Sequence, residues 1–407
     1  MFKELKKLWS LGFYELNVLR NRCYPDFVFD SSIKVLRDEI PVFLFHSVKA
    51  DDFEEKLIYL VENNYQTIGA DELYDYLIGR KRNPINKVVL TFDDGRGSLW
   101  TVAYPLLKKY GLVGVAFIVP SWIMDDNKYC PNLDDYWKGH TSLQELENRE
   151  LNSNPVVTWA EVQEMHRSGN IDFQSHTLNH TLIFTSDNIV DFMNPAFNLD
   201  FYGVNIPQFR VNGRDNFDRN PEMGMPIYTT APLASSARRY FDDEALREAC
   251  ILHVKANGER VFFSKRNWRK ELYELVKKYK WENNLNHHYE TDLEKEERLL
   301  YEFKESKESI ERYLGKPINH FCYPWFAGSD LSVELSKQAG YLTNLWGWNI
   351  PGRRTNRLGD DPYRIVRLPG DYIFRLPGKG RRSLSSITAL KVLRNIKNLK
   401  KRVSIRS

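Results

Sequence analysis

A buried β-strand that ends in two carboxylates is predicted by residues 88–95, Val88-Val89-Leu90-Thr91-Phe92-Asp93-Asp94-Gly95. Its first five residues are β-branched or apolar, which is typical of a strand inside a sheet. Gly95 allows a sharp turn, so a rigid strand holds Asp93 and Asp94 at one end of the sheet. Adjacent carboxylates that lose hydration repel each other unless they share a cation or a proton. For such a pair on its own, a solvated turn is the plainer interpretation.

A second strand with a polar end is predicted in residues 171–180, where Ser175-His176-Thr177-Leu178-Asn179-His180 closes the stretch. His176 and His180 are four residues apart and can lie on one face of a turn or short helix. Two imidazoles and one carboxylate suit a divalent ion and leave positions open for water and substrate. Two unrelated histidines are the alternative for this pair alone. Together with Asp93 and Asp94, the pair favours a metal site.

Length and composition describe a folded globular protein. The chain has 407 residues, 42% of them hydrophobic, which fits one domain of about 250 residues with additions, or two domains. The net charge of +4 selects no partner. The longest apolar run, 112–119, is too short to span a bilayer, and the N-terminus contains no secretory signal. We therefore expect a cytoplasmic protein without a transmembrane helix, with membrane association on the cytoplasmic face left open.

The cysteine pattern points to no metal or disulfide framework. The four cysteines are far apart and form no Cys-x-x-Cys pair, which argues against a zinc ribbon. Reduced thiols are expected in such a protein. They are Cys23, Cys130, Cys250 and Cys322.

Predicted strands and helices alternate, which indicates a parallel sheet with helices outside it. The polar residues singled out above follow strands, and reacting groups of parallel barrels gather at the carboxyl ends of strands. The predicted strands are 41–45, 88–92, 113–119, 171–180, 320–325 and 364–368. The predicted helices are 1–20, 52–64, 70–79, 100–110, 159–168, 242–256, 266–279, 291–314 and 331–339.

The two motifs, 91–95 and 175–180, resemble the first two signature motifs of the polysaccharide deacetylase (NodB-homology) family, carbohydrate esterase family four. The flanking stretches 41–46, 106–111 and 314–317 are similar as well. The resemblance implies an α/β fold, a distorted (β/α) barrel of the polysaccharide deacetylase type with a large insertion and helical terminal extensions. We predict an N-terminal helical extension (1–39), the first part of the barrel (40–184), an insertion acting as a lid or specificity region (185–290), the second part of the barrel (291–371) and a basic C-terminal tail and helix (372–407).

The resemblance also implies roles for the motif residues. Asp94 would bind a divalent metal together with His176 and His180, and Asp93 would be the general base. The metal implied is most commonly Zn2+, with Co2+, Ni2+ or Mn2+ as alternatives. Such an ion polarises an acetamide carbonyl and lowers the pKa of its bound water. A backbone N–H near Tyr323 would help to hold the oxyanion.

A general acid is needed because the amine must leave protonated. Many family members take this acid from a late histidine, but no histidine follows His320 in this chain. The branch that acts on biofilm polysaccharides has an early Tyr-His segment, which Phe45-His46 resembles. The resemblance therefore assigns the acid to His46. A core histidine that bonds a backbone group is the alternative.

The third family motif is altered, since Cys322 stands where many members have an arginine that orients the base. We expect Cys322 to be a buried, inert thiol. Arg367 is a candidate for orienting Asp93 by its position, with a surface ion pair as the alternative. Trp346 and Trp348 are candidates for stacking on a sugar ring, with core packing as the alternative. The predicted substrate-binding residues are Tyr323, Pro324, Trp325, Trp346 and Arg367.

The C-terminal region is basic, because residues 372–407 contain no acidic residue. Apolar residues between 389 and 403 recur at helical spacing, with most lysines and arginines opposite them. This pattern predicts either a helix on an anionic membrane surface or a helix that docks on the barrel with a solvated charged face. Nucleic acid binding is not expected, since no recognised fold accompanies the charge.

The sequence thus predicts a metal-dependent carbohydrate N-deacetylase, a hydrolase that removes N-acetyl groups from a glycan or glycan precursor. The expected partner is an N-acetylated glycan or a lipid-linked or nucleotide-linked sugar. An O-acetyl esterase or another deacylase that uses the same site is one alternative. A non-catalytic carbohydrate-binding protein is the other.

Overall fold

The computed structural model describes residues 17–152, 154–197, 201–216, 220–348 and 350–404, with the backbone alone for 395–404. Most of the helix predicted over 1–20 lies outside the described residues. Within them, no helix is both long and apolar enough to cross a bilayer. The five-part division of the chain remains a prediction.

The strands carry the numbers used below. They are β1 (Val42–Phe45), β2 (Gln66–Thr67), β3 (Lys87–Asp93), β4 (Gly114–Ile118), β5 (Ile171–Ser175), β6 (Leu182–Phe192), β7 (Pro207–Val211), β8 (Arg214–Asn216), β9 (Pro226–Pro232), β10 (Tyr240–Phe241), β11 (His288–Tyr289), β12 (His320–Cys322), β13 (Thr343–Leu345) and β14 (Leu368–Pro369).

The α-helices are numbered in the same way. They are α1 (Asp26–Phe29), α2 (Ala50–Glu62), α3 (Ala70–Leu77), α4 (Tyr104–Tyr110, preceded by a π-helical turn at Leu99–Ala103), α5 (Leu133–Trp137), α6 (Leu143–Asn148), α7 (Trp159–Arg167), α8 (Glu244–Ala256), α9 (Trp268–Glu282), α10 (Asp292–Leu314), α11 (Asp330–Gln338) and α12 (Leu384–Ser404).

Helix ends follow local chemistry. Thr158 Oγ1 accepts the Glu161 N–H at 3.3 Å, and Glu161 returns a bond to the Thr158 N–H at 3.0 Å, so α7 begins with a capping box. A capping box also begins α10, since the Glu294 N–H donates to Thr291 Oγ1 at 3.2 Å and the Thr291 N–H donates to Glu294 at 2.7 Å. Helix α4 ends at Gly111, whose φ of 63° is left-handed.

Two compact units make up the chain, and the first comprises Met1–His176, Ser306–Phe326 and Gly340–Ser407. Its sheet has the strand order β13-β12-β5-β4-β3-β1-β14, with β2 beside β3, and every pairing in it is parallel. This confirms the α/β prediction.

The sheet of the first unit curves until its two edges meet. Leu368 pairs with Phe43 on β1, and Ile365 forms a parallel bridge with Leu345 on β13. The segment from Ile365 to β14 therefore touches both edges, as expected of a distorted (β/α) barrel. The barrel core is apolar and includes Val89, Val115 and Phe117. All carboxyl ends of the parallel strands consequently point to one face.

The second unit comprises Thr177–Glu305 and Ala327–Ala339. It contains α8 and α9, which confirm two predicted helices, and a four-stranded sheet in the order β8-β7-β6-β9 that the sequence analysis missed. Buried and exposed positions do not alternate regularly along β6, and its register with β9 shifts twice. The two-residue period that identifies a strand is therefore weak in this sequence.

Candidate active site and metal centre

Predicted site residues lie at the carboxyl ends of β1, β3 and β5, which are close together in the sheet order β5-β4-β3-β1. Asp93 ends β3 and Asp94 follows it, His46 follows β1, and His176 follows β5. Asp94 has a left-handed φ of 73°, a conformation that costs free energy in a residue with a side chain. Asp93, Asp94 and His176 are 2%, 3% and 2% exposed. Charges this deeply buried require partners.

Asp93 is paired with Arg367. The two Nη atoms of Arg367 donate to the two carboxylate oxygens of Asp93 at 2.7 and 2.9 Å, and its Nε donates to the Trp346 carbonyl at 2.8 Å. Burial is the largest single influence and would raise the pKa of Asp93, but the charge and hydrogen bonds of Arg367 together with the nearby His176 and His46 hold that pKa below its ordinary value. The arrangement keeps Asp93 ionised and fixes its orientation.

Cys322 lies beside this ion pair. It is fully buried, and its Sγ is 3.7 Å from Asp93 Oδ2. Burial raises the pKa of the thiol well above its ordinary value. The burial of Cys322 agrees with the sequence prediction, and its unreactive character stays a prediction.

Asp94 and His176 face each other, with His176 Nε2 3.6 Å from Asp94 Oδ1. The other ring nitrogen, Nδ1, is 2.8 Å from the Cys322 carbonyl oxygen. That bond requires the proton to be on Nδ1, because a carbonyl only accepts. The lone pair on Nε2 is then directed towards Asp94, which is the tautomer that a metal-binding histidine adopts.

Arg96 is a site residue that the sequence analysis missed. Its Nε and Nη2 lie 3.0 and 2.9 Å from Asp94 Oδ2. Its Nη1 donates to Ser47 Oγ at 3.1 Å, and Ser47 bonds in turn to Glu150. Arg96 thereby fixes one oxygen of Asp94 while the other is directed at His176. A cation two residues after the Asp-Asp pair was the available signal.

The predicted metal ligands lie close enough together to hold one ion. One ligand atom each from Asp94, His176 and His180 lies within 4.8 Å of the others. A second group, Asp93, His176 and Cys322, meets the same distance. Arg367 bonds both carboxylate oxygens of Asp93, whereas Arg96 bonds Oδ2 of Asp94 and the Oδ1 of Asp94 faces His176. Cys322 has a raised pKa, so the second group offers poorer ligands. Two imidazoles and a carboxylate fit Zn2+ and related ions.

His46 is partly exposed and follows β1. Burial lowers its pKa, the charges of Asp94 and Asp93 act in the opposite direction, and those of Arg96 and Arg367 add to the lowering. The same four charged residues form the two ion pairs described above, so His46 lies within the electrostatic field of the candidate site.

The predicted substrate-binding residues differ in exposure. Tyr323 is fully buried, and its hydroxyl accepts a bond from Asn344 at 2.9 Å. Its backbone N–H donates to the Leu345 carbonyl at 3.1 Å. Trp346 is 9% exposed, and its indole N–H donates to the Tyr363 carbonyl at 2.8 Å. Pro324 is buried, Arg367 is occupied by Asp93, and Trp325 is 38% exposed. Their contact with substrate stays a prediction.

Comparison with known proteins identifies related chains. Residues 80–192 match the sequence profile of the family described as polysaccharide deacetylase. The poly-beta-1,6-N-acetyl-D-glucosamine N-deacetylase of Escherichia coli K12 is 31% identical over 144 residues, which are 35% of this chain and 20% of that protein. The putative polysaccharide deacetylase YxkH of Bacillus subtilis is 27% identical over 150 residues, 35% of this chain and 43% of that protein.

Among solved structures, a de-N-acetylase from Aggregatibacter actinomycetemcomitans aligns with a TM-score of 0.48 and 22% identity, over 81% of this chain and 94% of that one. The chain spans less than half the length of the curated relatives named above. The profile match covers both carboxylates, both histidines and the loop between them. It confirms the family resemblance that the two motifs predicted.

Proposed function

We propose, from the premise that residues 80–192 belong to the polysaccharide deacetylase family, that this chain is a metal-dependent carbohydrate N-deacetylase. It removes N-acetyl groups from a sugar in a glycan or glycan precursor. The observation that carries the proposal is a buried Asp93 whose two carboxylate oxygens are bonded by Arg367, next to Asp94 and His176. A carboxylate kept ionised in a water-poor site is suited to act as a general base.

A divalent metal, for which Zn2+ is the first choice and Co2+, Ni2+ or Mn2+ are alternatives, would be held by Asp94, His176 and His180. When bound, such an ion polarises the acetamide carbonyl and acidifies a water molecule. Arg96 orients Asp94 by bonding Oδ2, the carboxylate oxygen that does not face His176. The Cys322 carbonyl orients His176 by accepting a bond from Nδ1, the ring nitrogen that does not face Asp94. Ligands held in this way lose less freedom when they bind an ion.

The remaining steps belong to residues of the chain. Asp93 accepts a proton at its carboxylate from the attacking water. His46 donates a proton to the leaving amine from its protonated imidazole, a form that burial disfavours by lowering the pKa and that the charges of Asp94 and Asp93 favour. Trp325, which is 38% exposed, is proposed to contact the sugar directly, and the buried Tyr323, Pro324, Trp346 and Arg367 are proposed to line the sugar groove from beneath.

The first substrate to test is an oligomer of β-1,6-linked N-acetylglucosamine, because the Escherichia coli relative is named for that polymer. Purified full-length chain loaded with Zn2+ should release acetate from it, and Asp93→Asn should not. An O-acetylated glycan provides the ester comparison. Release from the ester alone would favour the esterase alternative. Glycan and metal binding without acetate release from any N-acetylated sugar would favour the carbohydrate-binding alternative.

We also propose that α12 makes a peripheral contact with anionic membranes. Ile387 is buried, and Arg394 bonds Asp371, while Leu390, Val392 and Leu393 are 50%, 49% and 55% exposed. The described part of the helix thus presents apolar surface next to basic residues. Removal of residues 384–407 should abolish sedimentation with vesicles that contain phosphatidylserine. Unchanged sedimentation would contradict the membrane contact.

A further inference from the structure

The loop between the two motif histidines has an unfavourable backbone. Thr177 and His180 have left-handed φ angles of 66° and 46°. Neither is glycine, and such conformations persist only where the surroundings hold them. Within the loop, the His180 N–H donates to Thr177 Oγ1 at 3.0 Å. One internal bond leaves the N–H groups of Leu178 and Asn179 to be satisfied from elsewhere.

Glu302 on α10 satisfies them. Its Oε2 accepts the N–H groups of Leu178 and Asn179, each at 3.2 Å, and its Oε1 accepts Asn179 Nδ2 at 2.6 Å. Glu302 is only 5% exposed. Burial raises its pKa, the bonds from Asn179 and Leu178 lower it, and the charge of Arg298 acts in the lowering direction too.

Core packing does not explain an acid at this position. Leu299 and Phe303, one turn away and adjacent on the same helix, are fully buried apolar side chains. An apolar residue at 302 would suit that face, whereas a buried carboxylate costs free energy unless its oxygens are bonded. All three side-chain hydrogen bonds that it accepts come from the loop between the histidines.

We propose that Glu302 is a positioning residue that holds the 177–180 loop in the conformation from which His180 presents its imidazole to a divalent cation. The proposal rests on the proposed function only in taking His180 as a ligand. In this proposal Glu302 is not itself a ligand of the metal. Its effect reaches the site through Asn179 and the backbone of the loop.

The test measures Zn2+ affinity of the full-length chain by competition with a chromophoric chelator. Glu302→Ala should weaken binding on the order of tenfold or more, as loss of an outer-shell partner does. Glu302→Gln should recover most of the affinity, because an amide oxygen can still accept the two backbone N–H groups. Asn179→Ala removes one of the three hydrogen bonds that Glu302 accepts, so it should weaken Zn2+ binding less than Glu302→Ala does. If Glu302→Ala does not fold, Asn179→Ala still tests the proposal.

Glu290 supplies the matched control. It is a buried acid of the same unit, 2% exposed, and bonds Arg298 and the Arg239 N–H but not the loop. Glu290→Ala should lower the unfolding temperature without changing Zn2+ affinity. In a His180→Ala background, Glu302→Ala should cause no further loss of affinity, because the ligand that it positions is absent.

Equal losses of affinity in Glu302→Ala and Glu290→Ala, or a full loss from Glu302→Ala in the His180→Ala background, would overturn the proposal. Wild-type protein that binds Zn2+ but releases no acetate would overturn the deacetylase function and leave this inference intact. Acetate release by the wild type, with Zn2+ affinity unchanged in Glu302→Ala, would overturn this inference and leave the deacetylase function intact.

Discussion

Arg367 and Asp93 form a buried bidentate ion pair, with Nη–Oδ distances of 2.7 and 2.9 Å, although 274 residues separate them in sequence. The pair answers the question raised by Cys322, which stands where many family members have a base-orienting arginine. Here the guanidinium comes from the segment that closes the barrel. This geometry supports the prediction, made from the position of Arg367 in the sequence, that it orients Asp93.

Replacing Arg367 by lysine should lower kcat for acetate release at least tenfold, because a single ammonium cannot make the two parallel bonds that fix Asp93. Arg367→Ala should in addition destabilise the fold by about 3–5 kcal/mol, since it leaves a buried carboxylate unpaired. Steady-state kinetics and urea unfolding measure the two effects. Arg364→Lys, a partly exposed arginine three residues away, is the control. Wild-type kcat in Arg367→Lys would contradict the orienting role.

Metal content should distinguish the proposed metal ligands, Asp94 and His176, from the proposed general base, Asp93. A chelator should abolish turnover, and Zn2+ should restore it. Asp94→Asn and His176→Ala should lose bound metal, while Asp93→Asn keeps it, because both carboxylate oxygens of Asp93 are bonded by Arg367. Metal per chain is counted by mass spectrometry. At a metal concentration of 100 Kd, bound ion should stabilise the wild type by about 2.7 kcal/mol, and Asp94→Asn should show no such gain. Retained metal in Asp94→Asn would remove Asp94 from the ligand set.

His46→Gln should lower kcat by about 10²–10⁴-fold, the usual contribution of a general acid, with metal content unchanged. His140→Gln, which changes an exposed histidine, should behave as wild type. Kinetics and metal analysis on the same preparations decide the matter. A parallel loss of metal and activity in His46→Gln would identify His46 as a ligand instead.

Much of the site could be predicted because it depends on local sequence. Strand β3 and its two carboxylates are encoded by a short apolar run and a glycine, and His176 follows β5 in the same way. The Arg367 pair could not be predicted with the same security. It depends on barrel closure, in which Leu368 pairs with Phe43 and Ile365 with Leu345, and no local pattern encodes contacts between such distant segments.

Two further features were missed for different physical reasons. Arg96 stands two residues from Asp94, but whether its side chain turns back to the carboxylate depends on the left-handed backbone of Asp94, which sequence does not reveal. Strands β6 and β9 were missed because their pairing shifts register twice and buried and exposed residues alternate irregularly along β6. Helices α8 and α9 in the same unit were predicted correctly, since a stretch of many residues averages out such interruptions.

Cys322 should resist alkylation in the folded protein, because it is fully buried and its pKa is raised. Iodoacetamide followed by peptide mass spectrometry should label Cys23 and Cys130, which are partly exposed, before Cys322. Cys322→Ala should keep kcat within a few-fold, since Asp93 is held by Arg367 instead. Labelling of Cys322 at the rate of Cys130, or loss of turnover in Cys322→Ala, would contradict an inert thiol.

Glu39 should make stability depend on pH. It is 6% exposed, and burial raises its pKa above the ordinary 4.5, although Thr355 and Arg357 partly oppose the shift. Between 4.5 and the raised pKa, the folded state binds more protons than the unfolded state, so the free energy of unfolding falls as the pH rises through that window.

Glu39→Gln stays neutral and lacks this fall, so its stability relative to wild type should increase from below pH 4.5 towards pH 7. Urea unfolding at several pH values measures the difference. Glu62→Gln, at an exposed position of α2, should show no comparable trend. Parallel pH profiles of stability for Glu39→Gln and wild type would contradict the raised pKa of Glu39. The stabilities of the two proteins diverge with pH only if Glu39 binds protons differently in the folded and unfolded states.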